Sequence, residues 1–337
     1  GYGIYNYSGG VLALAGWFPL LAVYDEEGWN LDPVSNIGDS VYSDMAFFDV
    51  DIRLDSDLVL SATGVEASRQ EDDGNVLVHY TSGPVRDFFM IMSPDFEVFS
   101  ETAGETTVNA YYLPGDEAGG REALEVAVGS VEAYNELFGL YPYSELDIIE
   151  APLIYAAGVE FPGIVLILDD LYQNPAGSFF GVVIAHEVAH QWWYNLVGND
   201  VIDDPWMDEG LTSYASALYY EATAGKRAYE SMIQNYQSDY EFIVDQGRDD
   251  LVTESLEHFE QPGSGDYGAV VYSKGALFFD AVRDEIGDEP FFRSLQAYFR
   301  ENKYKIATPE ILQDTFERES GRELDNLYQE WLYSTHP

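Results

Sequence analysis

The sequence predicts an α+β fold, with an antiparallel β-rich domain over residues 1–117 followed by a mixed, then mainly helical, domain over residues 118–337. Three observations predict it. From about Ser43 to Leu113 apolar and polar residues alternate in short runs, the period of strands with one buried face. After Pro114-Gly115-Asp116 that period changes, and from Ser178 onward helical spacing runs nearly unbroken. Strands and helices segregated along the chain give α+β, with a cleft expected near the junction.

The elements follow in order. Runs at Asp49–Leu54, Asp57–Ser61, Asn75–Tyr80 and Asp87–Met92 read as strands, with Asp72-Asp73-Gly74-Asn75 as a turn between them. His79 falls inside the third run and reads as a structural or surface histidine. Glu122–Phe138 reads as a helix, and Leu146–Ile149 and Ile164–Leu168 as strands framing Glu160. Helices are then expected over 180–197, 208–224, 226–243, 268–286, 289–301, 308–319 and 324–333, with Thr308-Pro309 and Gly321 marking late boundaries. No internal repeat or low-complexity segment is present.

Composition bounds the function. A chain of 337 residues with 46% hydrophobic content buries a substantial core, and two domains are expected. The absence of cysteine excludes a disulfide framework and thiol catalysis and leaves the redox compartment open. The apolar run Val11–Val23 is too short to span a bilayer and is broken by Gly16 and Pro19, so no transmembrane segment is expected. The chain opens at Gly1 without methionine, as a processed or cut form would, with any signal peptide outside it. A secreted or cell-surface location is favoured over the cytoplasm, and the oligomeric state is not legible. The net charge of -46 repels nucleic acid and anionic lipid, so neither is expected as a partner. The acids are spread along a chain with 15% aromatic residues, which argues for folding over disorder. Such acidity fits either adaptation to high salt or an acidic secreted enzyme at ordinary ionic strength.

The chemistry concentrates at His186-Glu187-Val188-Ala189-His190. Histidines four apart share one helix face, so both imidazoles can reach a single metal ion, and the glutamate between them can work on water instead of binding metal. The flanks are apolar and free of proline, as a buried helix requires. Trp206-Met207-Asp208-Glu209-Gly210 opens another helix and offers a third ligand, Glu209. Two imidazoles and one carboxylate make a catalytic zinc site with an open fourth position. Glu160 taken alone would be a solvated loop acid, and Tyr272, one of 26 tyrosines, a packing residue.

These segments resemble the gluzincin aminopeptidases of peptidase family M1, whose catalytic domain is thermolysin-like. Ala157-Gly158-Val159-Glu160-Phe161-Pro162-Gly163 resembles the family's G-A-M-E-N motif, and Tyr272-Ser273-Lys274-Gly275 its Y-x-K-G motif. The resemblance covers the chain from about residue 120 to its end, and more weakly the β-rich part. The domains that many relatives carry after this point, and part of their N-terminal domain, are expected to be missing. The resemblance implies that His186, His190 and Glu209 ligate one Zn2+ and that Glu187 is the general base. It further implies that Tyr272 donates to the oxyanion, that Glu160 binds the free α-ammonium of a peptide, and that Gly158 and Val159 run along the substrate. Tyr267 is a candidate to line the pocket, and Asp208 to support the site.

Two departures bear on specificity. Phe161 stands where the motif has asparagine, and Gly9–Gly16, before Trp17-Phe18-Pro19, offers no carboxylate or amide as a second amine contact. The implied function is removal of N-terminal residues from peptides. The alternatives are a same-site peptidase with relaxed endopeptidase activity and a non-catalytic binding module on the same fold.

Overall fold

The computed structural model describes residues 2–25, 28–39 and 41–335; the ends of the sequence at Gly1 and at His336-Pro337 lie outside them. The chain forms two compact units, one of residues 1–21, 43–132 and 141–191, the other of residues 22–42, 133–140 and 192–337.

The first unit is built on strands β1 (Tyr5–Ser8), β2 (Val11–Leu14), β3 (Asp49–Asp55), β4 (Val59–Ala62), β5 (Val65–Asp72) and β6 (Asn75–Thr81). Next come β7 (Met90–Ser93), β8 (Glu97–Ala103), β9 (Thr106–Tyr112) and helix α1 (Glu117–Leu137), whose end runs into the second unit. Strands β10 (Glu145–Ala151), β11 (Gly158–Phe161) and β12 (Ile164–Leu168) and helix α2 (Ser178–Ala189) complete it. The order is β1-β2-β7-β4 in one sheet, β3-β6-β5 in a second and β8-β9-β10-β12-β11 in a third.

Alternation is visible in β3, where Ile52 and Leu54 are buried while Asp51, Arg53 and Asp55 are exposed. Strand β12 is different: Ile164, Val165, Leu166 and Ile167 are all buried. It pairs parallel with β10 on one side and antiparallel with β11 on the other, and a strand covered on both faces reads as a continuous apolar run. Strand β2 opens the apolar run Val11–Val23, and β1 precedes it; both fall in the expected β-rich part of the chain, ahead of the individual strands expected there. The expected run Asp87–Met92 becomes strand only from Met90. Strand β9 pairs parallel with β10, Val108 facing Leu146, so strands on both sides of residue 117 share one sheet. The expected boundary at 117/118 is one of chain order, whereas the compact units follow the pairing.

The second unit is helical: α3 (Trp206–Ala224), α4 (Lys226–Asp245), a π-helical segment Gly268–Lys274 running into α5 (Gly275–Ile286), α6 (Asp288–Asn302), α7 (Pro309–Ser320) and α8 (Asp325–Trp331). Gly225 and Gly287, at φ 82° and 84°, let the chain turn sharply between consecutive helices. Thr308 caps α7 by accepting from the Ile311 amide, with Pro309 in the first turn. The helix expected over 180–197 stops at Ala189. Beyond it Tyr194 takes φ 107° and the Val197 amide donates to Trp192 O, leading into a short strand, Val197–Gly198, beside Lys305–Ile306. Among the described residues no helix is long and apolar enough to cross a membrane.

Candidate functional site

In the first unit, α2 is buried on nearly every side, from Phe180 to Ala189, so its polar residues are held by packing. His186 and His190 fall one turn apart, and their Nε2 atoms lie 3.2 Å from each other. Ligands 2.0–2.1 Å from a tetrahedral zinc ion are separated by about 3.3–3.4 Å. The pair therefore fits two corners of one coordination sphere, and neutral imidazole is the right donor for zinc.

Strand β11 is the edge of its sheet. Glu160, expected from its own surroundings to be a solvated loop acid, sits inside this strand opposite Val165 and is only 6% exposed. Its Oε1 lies 4.0 Å from His190 Nε2. Glu160, Glu187 and His190 bring oxygen and nitrogen atoms within 4.8 Å of one another. Gly158 explains itself here, since a Cβ at that position would run into the Glu187 carboxylate. The Val159 side chain is buried in the core of the unit, with Phe161 and Leu166, so only the strand's backbone edge is left for a ligand. Phe161 stacks flat on Phe89, centroids 3.9 Å apart, and is a core residue.

Gln191 is a residue that sequence reasoning passed over as flank. It accepts from the Gly163 amide at 2.9 Å, donates to Phe161 O at 3.1 Å, and accepts from the Tyr141 hydroxyl at 3.3 Å. One buried amide thus ties the turn after β11 to the end of the histidine helix. Its only sequence signal is a polar residue directly after His190 in an apolar stretch.

In the second unit, Asp208 and Glu209 occupy the first turn of α3, where unpaired backbone amides favour carboxylates. Asn199 donates to Asp208 Oδ1 at 2.9 Å and to Asp204 O at 3.0 Å, fastening the loop to the helix start. Glu209 is 4% exposed and accepts a hydrogen bond from the Tyr272 hydroxyl. Tyr272 belongs to the π-helical segment, a wide turn frequent at functional sites. The Tyr267 ring packs edge-on to Tyr272 at 5.7 Å, and its hydroxyl is buried. Burial first, and the Glu209 charge second, hold both phenols well above their usual pKa. The structure thus gathers His186, His190, Glu187, Glu160 and Gly158 in one unit, and Glu209, Tyr272 and Tyr267 in the other.

The model of the Peptidase family M1 domain matches residues 122–331. Probable aminopeptidase 2 of Sulfurisphaera tokodaii is 25% identical over 305 residues, which are 85% of this chain and 38% of that protein. Aminopeptidase M1 of Arabidopsis thaliana is 25% identical over 308 residues, 85% of this chain and 34% of that one. Among solved structures, an M1 zinc metallopeptidase from Deinococcus radiodurans shares the fold at a TM-score of 0.70 and 20% identity, over 88% of this chain and 66% of that one. The chain thus spans less than two fifths of the length of these two curated relatives.

Proposed function

The chain belongs to peptidase family M1, and from that premise we propose that it is a zinc aminopeptidase that removes residues from the N-terminus of extended peptides. The observation that carries the reading is the pair of imidazole nitrogens 3.2 Å apart on α2, with the Glu160 and Glu187 carboxylates beside them in the same unit.

In this reading His186, His190 and Glu209 hold the ion, which supplies Lewis acidity to the scissile carbonyl and makes water easier to ionise. Glu187 takes the proton of the attacking water and delivers it to the leaving amine. Tyr272 donates its hydroxyl hydrogen to the carbonyl oxygen as negative charge develops there, an interaction strongest in the transition state. Glu160 pairs with the α-ammonium of the substrate. The outer edge of β11 takes the peptide as an added strand, and Gly158 keeps room there beside Glu187. Tyr267 backs the Tyr272 ring. The relatives' names carry the aminopeptidase assignment.

The test compares a free-amine aminoacyl substrate with its N-acetylated twin, with and without a chelator. Hydrolysis of the free-amine substrate alone, lost with chelator and restored by zinc, is expected. Equal rates on both substrates would remove the exopeptidase assignment and leave a relaxed peptidase. No bound zinc and no hydrolysis after zinc is restored would favour a binding module.

A further inference from the structure

Lys274 is completely buried, two residues beyond Tyr272 and at the end of the π-helical segment. Its ammonium lies 3.1 Å from Asp249 Oδ1 and donates to Asp250 O and to Ser334 O, each at 2.9 Å. Asp249 is in turn held by the Tyr240 hydroxyl at 2.9 Å. A buried ion pair is weak support for stability, since apolar residues of similar volume often fill such a place as well or better. What the pair supplies instead is direction. Three acceptors from a loop and from the C-terminal segment hold Lys274 at the point where the π turn ends.

The next residue is tied as well. A Cβ at Gly275 would lie 3.0 Å from the Gly210 Cα, and one at Gly210 only 3.1 Å from the Gly275 Cα. The two backbones touch, one residue past Lys274 and one past Glu209. Between these ties the Tyr272 hydroxyl meets the Glu209 carboxylate.

We propose that Lys274 is a positioning residue that acts through Tyr272, its buried ammonium setting the height of the π turn at which the phenol meets Glu209. The inference rests on the reading of Tyr272 as the oxyanion donor. The test uses the whole zinc-loaded chain with Lys274→Met, Tyr272→Phe and the double variant, on a free-amine aminoacyl substrate. Lys274→Met is expected to lower kcat roughly tenfold or more with KM nearly unchanged, and the double variant to be no slower than Tyr272→Phe alone. Losses that multiply in the double variant, or an unchanged kcat in Lys274→Met, overturn the proposal while leaving the role of Tyr272 intact. An unchanged kcat in Tyr272→Phe overturns the premise, and the proposal with it.

A second readout does not depend on turnover. In metal-free protein with ring-labelled tyrosine, the resonance missing from Tyr272→Phe identifies Tyr272, and Lys274→Met should shift it. An unmoved resonance overturns the proposal. Should Lys274→Met fail to fold, Asp249→Asn removes the counter-charge at constant shape, and the same two outcomes decide.

Discussion

Gly158 and Glu187 compete for one volume, and that competition sets what each can tolerate. The Glu187 carboxylate lies where a Cβ on residue 158 would stand, so Gly158→Ala has to push the proposed base aside. A displacement of about 1 Å at a reacting group can cost on the order of a hundredfold in rate. Gly158→Ala should therefore lower kcat/KM by roughly ten- to a hundredfold with the melting temperature almost unchanged. A fully active variant would show that the carboxylate is not fixed in this position. Glu187→Gln keeps the shape and removes the basicity. It should retain zinc by metal analysis and lose roughly a thousandfold or more in kcat; unchanged turnover would strip Glu187 of its role.

At the scale of elements, the contact between Gly210 and Gly275 decides how closely α3 and the start of α5 approach. Each leaves out a side chain for which there is little room. Gly210→Ala should cost about 1–3 kcal/mol by overpacking, read from denaturant unfolding, and a neutral result would mean that the helices are not in backbone contact. No periodicity could have shown this, because the two glycines are distant in the chain and each looks like a motif terminus. The same limit hid Gln191 and the partners of Lys274. The histidine pair was legible because a separation of four is a local property of a helix. Helices α3 to α7 were legible because the spacing of their apolar residues holds over three or more turns. The end of α2 was not, since Gln191-Trp192-Trp193-Tyr194 continues the apolar run without glycine or proline and the turn depends on a tyrosine at positive φ. Strand β11 was hidden for the opposite reason. Its four residues lie between glycine punctuation that reads as loop, and only pairing with β12 makes them a strand.

At the scale of the whole molecule, a net charge of -46 opposes compaction, and two separable costs sit within it. Exposed acids repel one another across the surface, a cost that salt removes because screening shortens to about 3 Å at 1 M. Buried acids carry a different cost, that of losing water. Burial pushes Asp87, Asp147 and Asp200 up to about 6, Glu145 and Asp204 to about 7 and Glu150 to about 8. A carboxyl whose folded pKa is raised binds more protons folded than unfolded, so its contribution is complete below about 4 and is lost as pH rises through its folded value. Thermal melts of the metal-free protein, chosen so that zinc loss does not enter, should therefore show the melting temperature falling between about pH 4 and about pH 8. Molar salt should raise every melting temperature yet preserve that fall, because ions screen surface repulsion and leave buried groups dry. If the fall disappears in salt, surface repulsion alone produced it and the buried carboxyls are not desolvated. If salt changes nothing at any pH, the acidic surface costs no stability in dilute buffer and adaptation to high salt is excluded.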